Sequence, residues 1–380
     1  MILENSWRHP MNKSYKWVVK AGSSLVAGNQ DGVNIDFISQ LASQIDFLKK
    51  NNQEVIVISS GAVAKGMNDL GINKRPDQLA ILQACAAVGQ RGISEIYQNT
   101  FEKFGYTTGQ VLISHDDIAN RTRYLNAKNA IEALLDLGVI PIVNENDCVA
   151  TEEISFGDND RLGAALAGLI RADRFVMLTD QDGIFNDDPT KNHNAQLLDR
   201  INLDDENLDL SQILNSTSGV LGRGGMKTKI EAARTSLNSG AMTWVASGLK
   251  DDTLLKIFKE EDIGTQLITE KSTLPSRKLW ISSFGSVAGT IVIDDGASEA
   301  LISKGKSLLS VGITEVLGNF NKGDLVNCID KDGKEIATGL SNFNNKEIEA
   351  IKGLNTDEIL KVLGYLTQEE VIHRNNLVLS

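Results

Sequence analysis

VIPIVNENDCVATEEISFGDNDRL, residues 139–162, changes character halfway through its first dozen residues. VIPIVN (139–144) is a nearly continuous apolar run. Such a run suits a strand buried on both faces, as in a parallel sheet. From Asn144 to Asp160 the chain then carries three asparagines and six acids. A core cannot hold that much unpaired polarity, because each lone buried charge costs several kcal/mol. The polar stretch is therefore a loop at the end of a buried strand. It repeats a short amide-and-acid pattern, NEND (144–147) and then GDND (157–160), which an arbitrary surface loop rarely does.

Similar apolar runs lie on either side. WVVK (17–20), EVIVIS (54–59), GQVLIS (109–114), RFVMLT (174–179), MTWVAS (242–247) and TQLIT (265–269) read as further strands. Between them are amphipathic stretches such as NIDFISQLASQIDFLKK (34–50) and RYLNAKNAIEALLDLG (123–138). This alternation predicts an α/β fold, a doubly wound sandwich around a mostly parallel sheet. Ligands in such folds sit at the carboxyl ends of the strands, so the loops that follow the strands are where a site belongs.

Near TEKSTLPSRK (269–278) the rhythm changes. KLWISS, GTIVID, SLLSVGITEVLG, DLVNCID and EIATGLSN are short β-like segments separated by turns, which predicts a small β-rich C-terminal domain. The expected division is an N-terminal extension over 1–15, a catalytic domain over 16–270 and the β-rich domain over 276–380. Met11 offers an alternative start, with the first ten residues as an extension.

Bulk properties narrow the class. The 380 residues are 41% hydrophobic and 5% aromatic, as in a globular chain. No apolar run approaches the roughly 18 residues that span a membrane, and the N-terminus lacks the apolar core of a secretory signal. Cys85, Cys148 and Cys328 are odd in number and widely scattered. They read as free thiols in a reducing cytoplasm, not as a disulfide framework or zinc site. A net charge of −12 disfavours nonspecific binding to nucleic acid or anionic membrane.

The strand ends carry the remaining chemistry. VVKAGSS (18–24) places Lys20 before Gly22 and two serines, where backbone N–H groups and an ammonium can meet a phosphate. A solvated turn residue has the same local sequence. SSGAVAKG (59–66) opens a helix after a strand, and Ser60 there is either an ordinary cap or part of an anion site. LTDQDGIFNDDP (178–189) is an acidic strand-end loop. LGRGGMKTKIEAA (221–233) leads a glycine-rich turn into a helix bearing Lys227 and Lys229. No GxxxxGK[ST] is present, so this is not a P-loop.

Taken in order, VVKAGSS, VISSGA, NEND, GDND, LTDQDGIF with DDP, and GRGGMKTK closely resemble the amino acid kinase family, in particular its branch that phosphorylates glutamate. The tail, above all GNFNKGDLVNCIDKDGKEIATGLSN, resembles a PUA domain. The resemblance covers nearly the whole chain. It implies the amino acid kinase fold and transfer of the γ-phosphoryl of ATP to the side-chain carboxylate of L-glutamate, the first step of proline biosynthesis. Mg²⁺ is expected with the ATP, on phosphate oxygens and water with no protein ligand.

The same resemblance assigns residues. Lys20 and Lys229 would flank the phosphates, with Asp160 orienting them. Asp147 and Asn159 would contact glutamate, joined by Asn144, Asp158 and Ser60. Thr179, Asp180 and the segment Arg223, Gly224, Gly225, Met226, Lys227, Thr228 and Lys229 would hold the nucleotide, together with Lys20. An ammonium has three donors and no acceptor, so a loop of acids and amide oxygens suits the zwitterionic substrate. The resemblance further implies proline as a feedback inhibitor and a γ-glutamyl phosphate reductase as functional partner, and a homo-oligomer is expected; if proline occupies a site overlapping that of glutamate, substitutions at Glu153 or Ile154 should loosen proline binding more than glutamate binding. Arg223 and Lys227 make the nucleotide loop more basic than the family pattern, and IFNDDPTKNH lacks the arginine that often follows Asp-Pro.

Two other readings stand beside this one. Another member of the same family could act on a related carboxylate or carbamate, but the NEND and GDND pair argues against it. The PUA-like tail could bind RNA. Residues 276–380, however, hold 11 Lys and Arg against 14 Asp and Glu, a balance of −3, where RNA binding calls for a basic surface.

Overall fold

The computed structural model describes residues 14–28, 32–149, 159–189, 191–205, 225–270, 273, 275–283, 285–365 and 368–380. They divide into two compact units, one within 1–118 and 122–273, the other comprising 119–121 and 274–380.

The first unit is built on an eight-stranded sheet. Its strands are β1 (Lys16–Ala21), β2 (Glu54–Ile58), β3 (Thr108–Ile113), β4 (Ile140–Glu145), β5 (Arg174–Thr179), β6 (Arg200–Asn202), β7 (Met242–Ser247) and β8 (Thr265–Ile268), in the spatial order β3-β4-β2-β1-β5-β7-β8-β6. Every pair is parallel except β7 with β8. The expected strands are present, and only the three-residue edge strand β6 lacks an apolar run long enough to announce it.

Helices connect the strands: α1 (Ser23–Val26), α2 (Ile35–Lys50), α3 (Ala62–Asp69), α4 (Leu79–Glu102), α5 (His115–Ala119), α6 (Arg121–Asp136), α7 (Asn159–Ile170), α8 (Met226–Asn238) and α9 (Thr253–Phe258). The start of α2 is set by Asn34, whose side chain accepts from the Phe37 N–H at 3.1 Å.

Alternate strand residues face opposite layers. Trp17, Val19, Val55, Val57, Val176 and Leu178 share a core with Phe37, Leu41 and Ile45 of α2 and with Ile93, Tyr97 and Phe101 of α4. On the other face, Gly163 of α7 lies against Phe175 and Ile58. The sheet is thus covered on both sides, which is why its strands are continuously apolar. A buried arginine closes one end: Arg174 stacks within 5.7 Å of the rings of Tyr15, Trp17 and Trp244 and donates to the Ile257 carbonyl at 2.7 Å.

The second unit holds a five-stranded sheet in the order β10-β9-β11-β12-β13. These are β9 (Val287–Ile293), β10 (Ile313–Gly318), β11 (Leu325–Ile329), β12 (Glu335–Leu340) and β13 (Leu377–Leu379). Helices α10 (Ser276–Ser283), α11 (Asp295–Ile302), α12 (Asn345–Ile351) and α13 (Thr356–Leu363) accompany them. Its own core includes Ile291, Val326, Cys328, Phe343, Ile348 and Ile359.

One expected strand is a helix. KLWISS lies in α10, which opens where Leu279 N–H donates to the Pro275 carbonyl at 2.9 Å. A short apolar run has no periodicity of its own, and the preceding proline favours a helix start. Among the described residues, no helix is long and apolar enough to cross a membrane.

Candidate active site

Asp160 is fully buried in the first turn of α7. Lys20, from the end of β1, approaches one carboxylate oxygen at 2.7 Å, and Lys229, from α8, approaches the other at 2.8 Å. Burial alone would push the Asp160 carboxyl up; the two ammonium groups outweigh it and hold the group well below the usual carboxylate range. Lys20 and Lys229 are themselves buried. The cluster is one carboxylate between two cations, so its positive excess is aimed wherever an anion can enter. One strand end and the first turns of two helices, far apart in sequence, therefore meet at one buried point.

The preceding residue, Asn159, belongs to a second network. Its Nδ2 lies 2.6 Å from the Ser59 carbonyl, 3.1 Å from Ser60 Oγ and 2.9 Å from Asn144 Oδ1. Asn144 Nδ2 in turn donates to Gln90 Oε1 of α4 at 2.8 Å. Asn144, Asn159, Ser60 and Gln90 are all buried. The ends of β2 and β4 and the start of α7 are thus tied by amides.

Asn144, Asn159 and Ser60 line a cavity of about 160 Å³, together with Ser23, Gly61, Glu145, Asp147, Arg75 and His115. Gly61 caps α3 with φ 92°, a left-handed conformation that glycine alone adopts without strain. Asp147 is half-buried there. Burial pushes its carboxyl up to about 6 against the opposing pull of the Arg75 guanidinium. A carboxylate so destabilised by desolvation is stabilised by an incoming cation.

The remaining expected residues fall in three groups. Thr179 ends β5, and its hydroxyl donates to Asp180 at 3.1 Å. Gly225 precedes α8 with no atom of the described residues within 4 Å of where a Cβ would stand, Met226 and Thr228 lie in the first turn, and the Thr228 hydroxyl donates to the Gly225 carbonyl at 2.8 Å. Lys227 points away from the buried cluster. Its side chain is 75% exposed and lies 4.0 Å from Glu231, because two residues along a helix are about 200° apart. Asp158, Arg223, Gly224, Glu153 and Ile154 lie outside the described residues.

Sequence reasoning passed over Gln90, Arg75 and His115. Gln90 sits mid-helix and Arg75 in a polar turn, so neither is at a strand end, where ligands of such a fold are expected. Among the described residues, no three His, Cys, Asp or Glu side chains are grouped to hold a metal ion.

The model of the amino acid kinase family matches residues 16–247, and that of the PUA domain matches residues 289–363. The chain is 46% identical to the glutamate 5-kinase of Nitrosospira multiformis over 97% of its own length and 99% of that protein. It is 44% identical to the glutamate 5-kinase of Nitrosomonas eutropha over 98% and 99% of the two chains. Against that of Burkholderia cenocepacia the identity is 46% over 96% and 98%. Matched by the family model over residues 16–247 and at this identity over nearly its full length, the chain belongs to the amino acid kinase family.

Proposed function

We infer that this chain is a glutamate 5-kinase. It transfers the γ-phosphoryl group of ATP to the side-chain carboxylate of L-glutamate, giving L-glutamyl 5-phosphate, the first step of proline biosynthesis. One observation carries the reading: the first turn of α7 joins an amide-and-acid cavity, through Asn159, to a pair of buried lysines, through Asp160. An amino acid and a transferring phosphoryl group need those two environments side by side.

The acceptor is ionised at neutral pH, since a glutamate carboxyl has a pKa near 4.3. It needs no general base. The obstacle is bringing two anions together in line and spreading the charge of the phosphoryl group. Lys20 and Lys229 supply that charge from opposite sides, and Asp160 holds both ammonium groups in place. Asp147 and the oxygen of Asn159 face the ammonium of glutamate. Ser60, whose oxygen already accepts from Asn159, keeps its hydrogen for a carboxylate. The N-terminus of α7 adds favourable potential for anions. Thr179, Asp180 and the residues from Gly225 to Lys229 form the nucleotide side, to which Arg223 and Gly224 also belong. Magnesium would arrive with ATP, where phosphate oxygens and water suit its reluctance to dehydrate, and would supply neutralisation of phosphate charge.

The acyl phosphate is prone to hydrolysis and cyclisation, so a γ-glutamyl phosphate reductase is the enzyme that takes it up. Proline shares the α-carboxylate and α-nitrogen of glutamate but lacks the reacting carboxylate. It therefore suits an overlapping inhibitory site, and raising glutamate should relieve the inhibition.

The test is ATP consumption with L-glutamate, Mg²⁺ and hydroxylamine, which traps the acyl phosphate as a hydroxamate. Glutamate-dependent hydroxamate is expected. ATP turnover with acetylglutamate, aspartate or carbamate but not with glutamate would overturn the reading.

A further inference from the structure

We infer that Gln90 is a positioning residue for the amino acid substrate: from outside the cavity, its side-chain oxygen holds the Asn144–Asn159 amide pair in the orientation that glutamate requires. The inference rests on the glutamate kinase reading above.

Gln90 stands on α4, and its placement is rigid. It follows Gly89, whose backbone packs against the Ala62 carbonyl of α3 so closely that no Cβ fits there. The residue is only 8% exposed, so its hydrogen bonds are largely shielded from bulk water. Gln90 Oε1 accepts from Asn144 Nδ2 at 2.8 Å. That leaves Asn144 Oδ1 to accept from Asn159 Nδ2 at 2.9 Å. Asn159 Nδ2 also faces the Ser59 carbonyl at 2.6 Å.

Both ends of this relay are acceptors: a backbone carbonyl at one end and Gln90 Oε1 at the other. Asn159 Nδ2 faces protein oxygens, and Asn144 Nδ2 donates to Gln90 Oε1. The oxygen of Asn159 is what remains for a ligand in the cavity that Asn159 lines. An acceptor there suits an ammonium, and a donor would repel it. An asparagine has nearly the same shape with its oxygen and nitrogen exchanged, so shape does not hold the orientation; the two acceptors do. The Ser59 carbonyl is backbone and cannot be removed by substitution. Gln90 can.

Without the Gln90 oxygen, Asn144 Nδ2 becomes a buried donor lacking its acceptor, a state costly enough to make the side chain turn. Turning breaks its bond to Asn159 and loosens the cavity wall. The lysine pair around Asp160 is made by other side chains, so phosphoryl transfer itself is not touched.

The experiment measures steady-state rates of the full chain and of Q90M and Q90E, varying glutamate and ATP separately, with melting temperatures alongside. Methionine keeps the volume and helix preference but has no comparable acceptor. Q90M should raise the glutamate KM by about tenfold, as expected for one lost buried hydrogen bond, with ATP KM and kcat near those of the parent. Q90E offers an acceptor oxygen in either protonation state and should restore the parent glutamate KM.

A Q90M enzyme with unchanged glutamate KM, or with both KM values raised alike, overturns the inference. If Q90M does not fold, Q90E decides alone, and a tenfold rise in its glutamate KM is the overturning result. The parent chain separates the two readings: absence of glutamate hydroxamate there refutes the glutamate kinase assignment, whereas hydroxamate formation with an indifferent Q90M refutes only the role of Gln90.

Discussion

Asp160 has no solvent contact, yet it is held ionised by Lys20 and Lys229. Removing one preorganised cation of such a pair costs on the order of 10²–10³ in rate when the charge develops mainly in the transition state. Lys229→Ala should therefore lower kcat by roughly that factor and change glutamate KM far less. An unchanged kcat would make Lys229 a structural partner of Asp160 only. Asp147 sets a second residue-scale expectation. Its carboxyl is raised to about 6 in the free protein, so below that pH it is neutral and must lose a proton before it can face an ammonium. Glutamate KM should rise as pH falls through about 6 and level off above it. Asp147→Asn should remove this dependence and raise glutamate KM by about ten- to a hundredfold, the loss of one charged hydrogen bond. Profiles of KM from acidic to neutral pH for both proteins decide the point, and a limb that persists in the variant assigns it to another group.

At the scale of elements, the site depends on how closely α3 and α4 approach. Gly66 lies against the Cys85 carbonyl and Gly89 against the Ala62 carbonyl, each too close for a side chain. This places the first turn of α3 beside the cavity and Gln90 behind Asn144. Gly89→Ala should force the helices apart, costing about 1–3 kcal/mol as overpacking does, and should weaken glutamate binding at the same time. Thermal melting of the purified variant and its glutamate KM test both parts; a stable variant with normal KM would show that the helices separate freely. Element scale is also where sequence reading met its limit. The long periodic stretch 34–50 and the apolar strands are legible because burial imposes a pattern many residues long. KLWISS is too short to carry such a pattern, so its helical state is decided by Pro275 and by packing. Lys227 and Lys229 look equivalent in the sequence, but the helical turn sends one to solvent and the other to Asp160.

For the whole molecule, the cavity residues and the lysine pair all belong to the first unit, and the second unit has a separate core. A chain ending at Thr273 should fold and form glutamate-dependent hydroxamate at a rate comparable with the full chain. Loss of all activity in a folded truncation would assign a direct role to the PUA domain. The acidic balance of residues 276–380 argues that this role is not a general attraction to RNA.

The sequence by itself determined the alternation of buried strands and amphipathic helices, the change of rhythm near Pro275, and the polar strand ends from Lys20 to Lys229. Burial and turn chemistry write those features locally, and the ordered motifs carried the family resemblance. Tertiary structure alone decided which of these segments meet. Lys20, Asp160 and Lys229 become one cluster only because β1 lies beside β5 and β2 in the parallel sheet and α7 packs with α8 beside them. Gln90 comes to stand behind Asn144, outside the cavity, only because two glycines let α4 press against α3. Such contacts depend on backbone distances between segments remote in the chain, and no local pattern of residues encodes those distances.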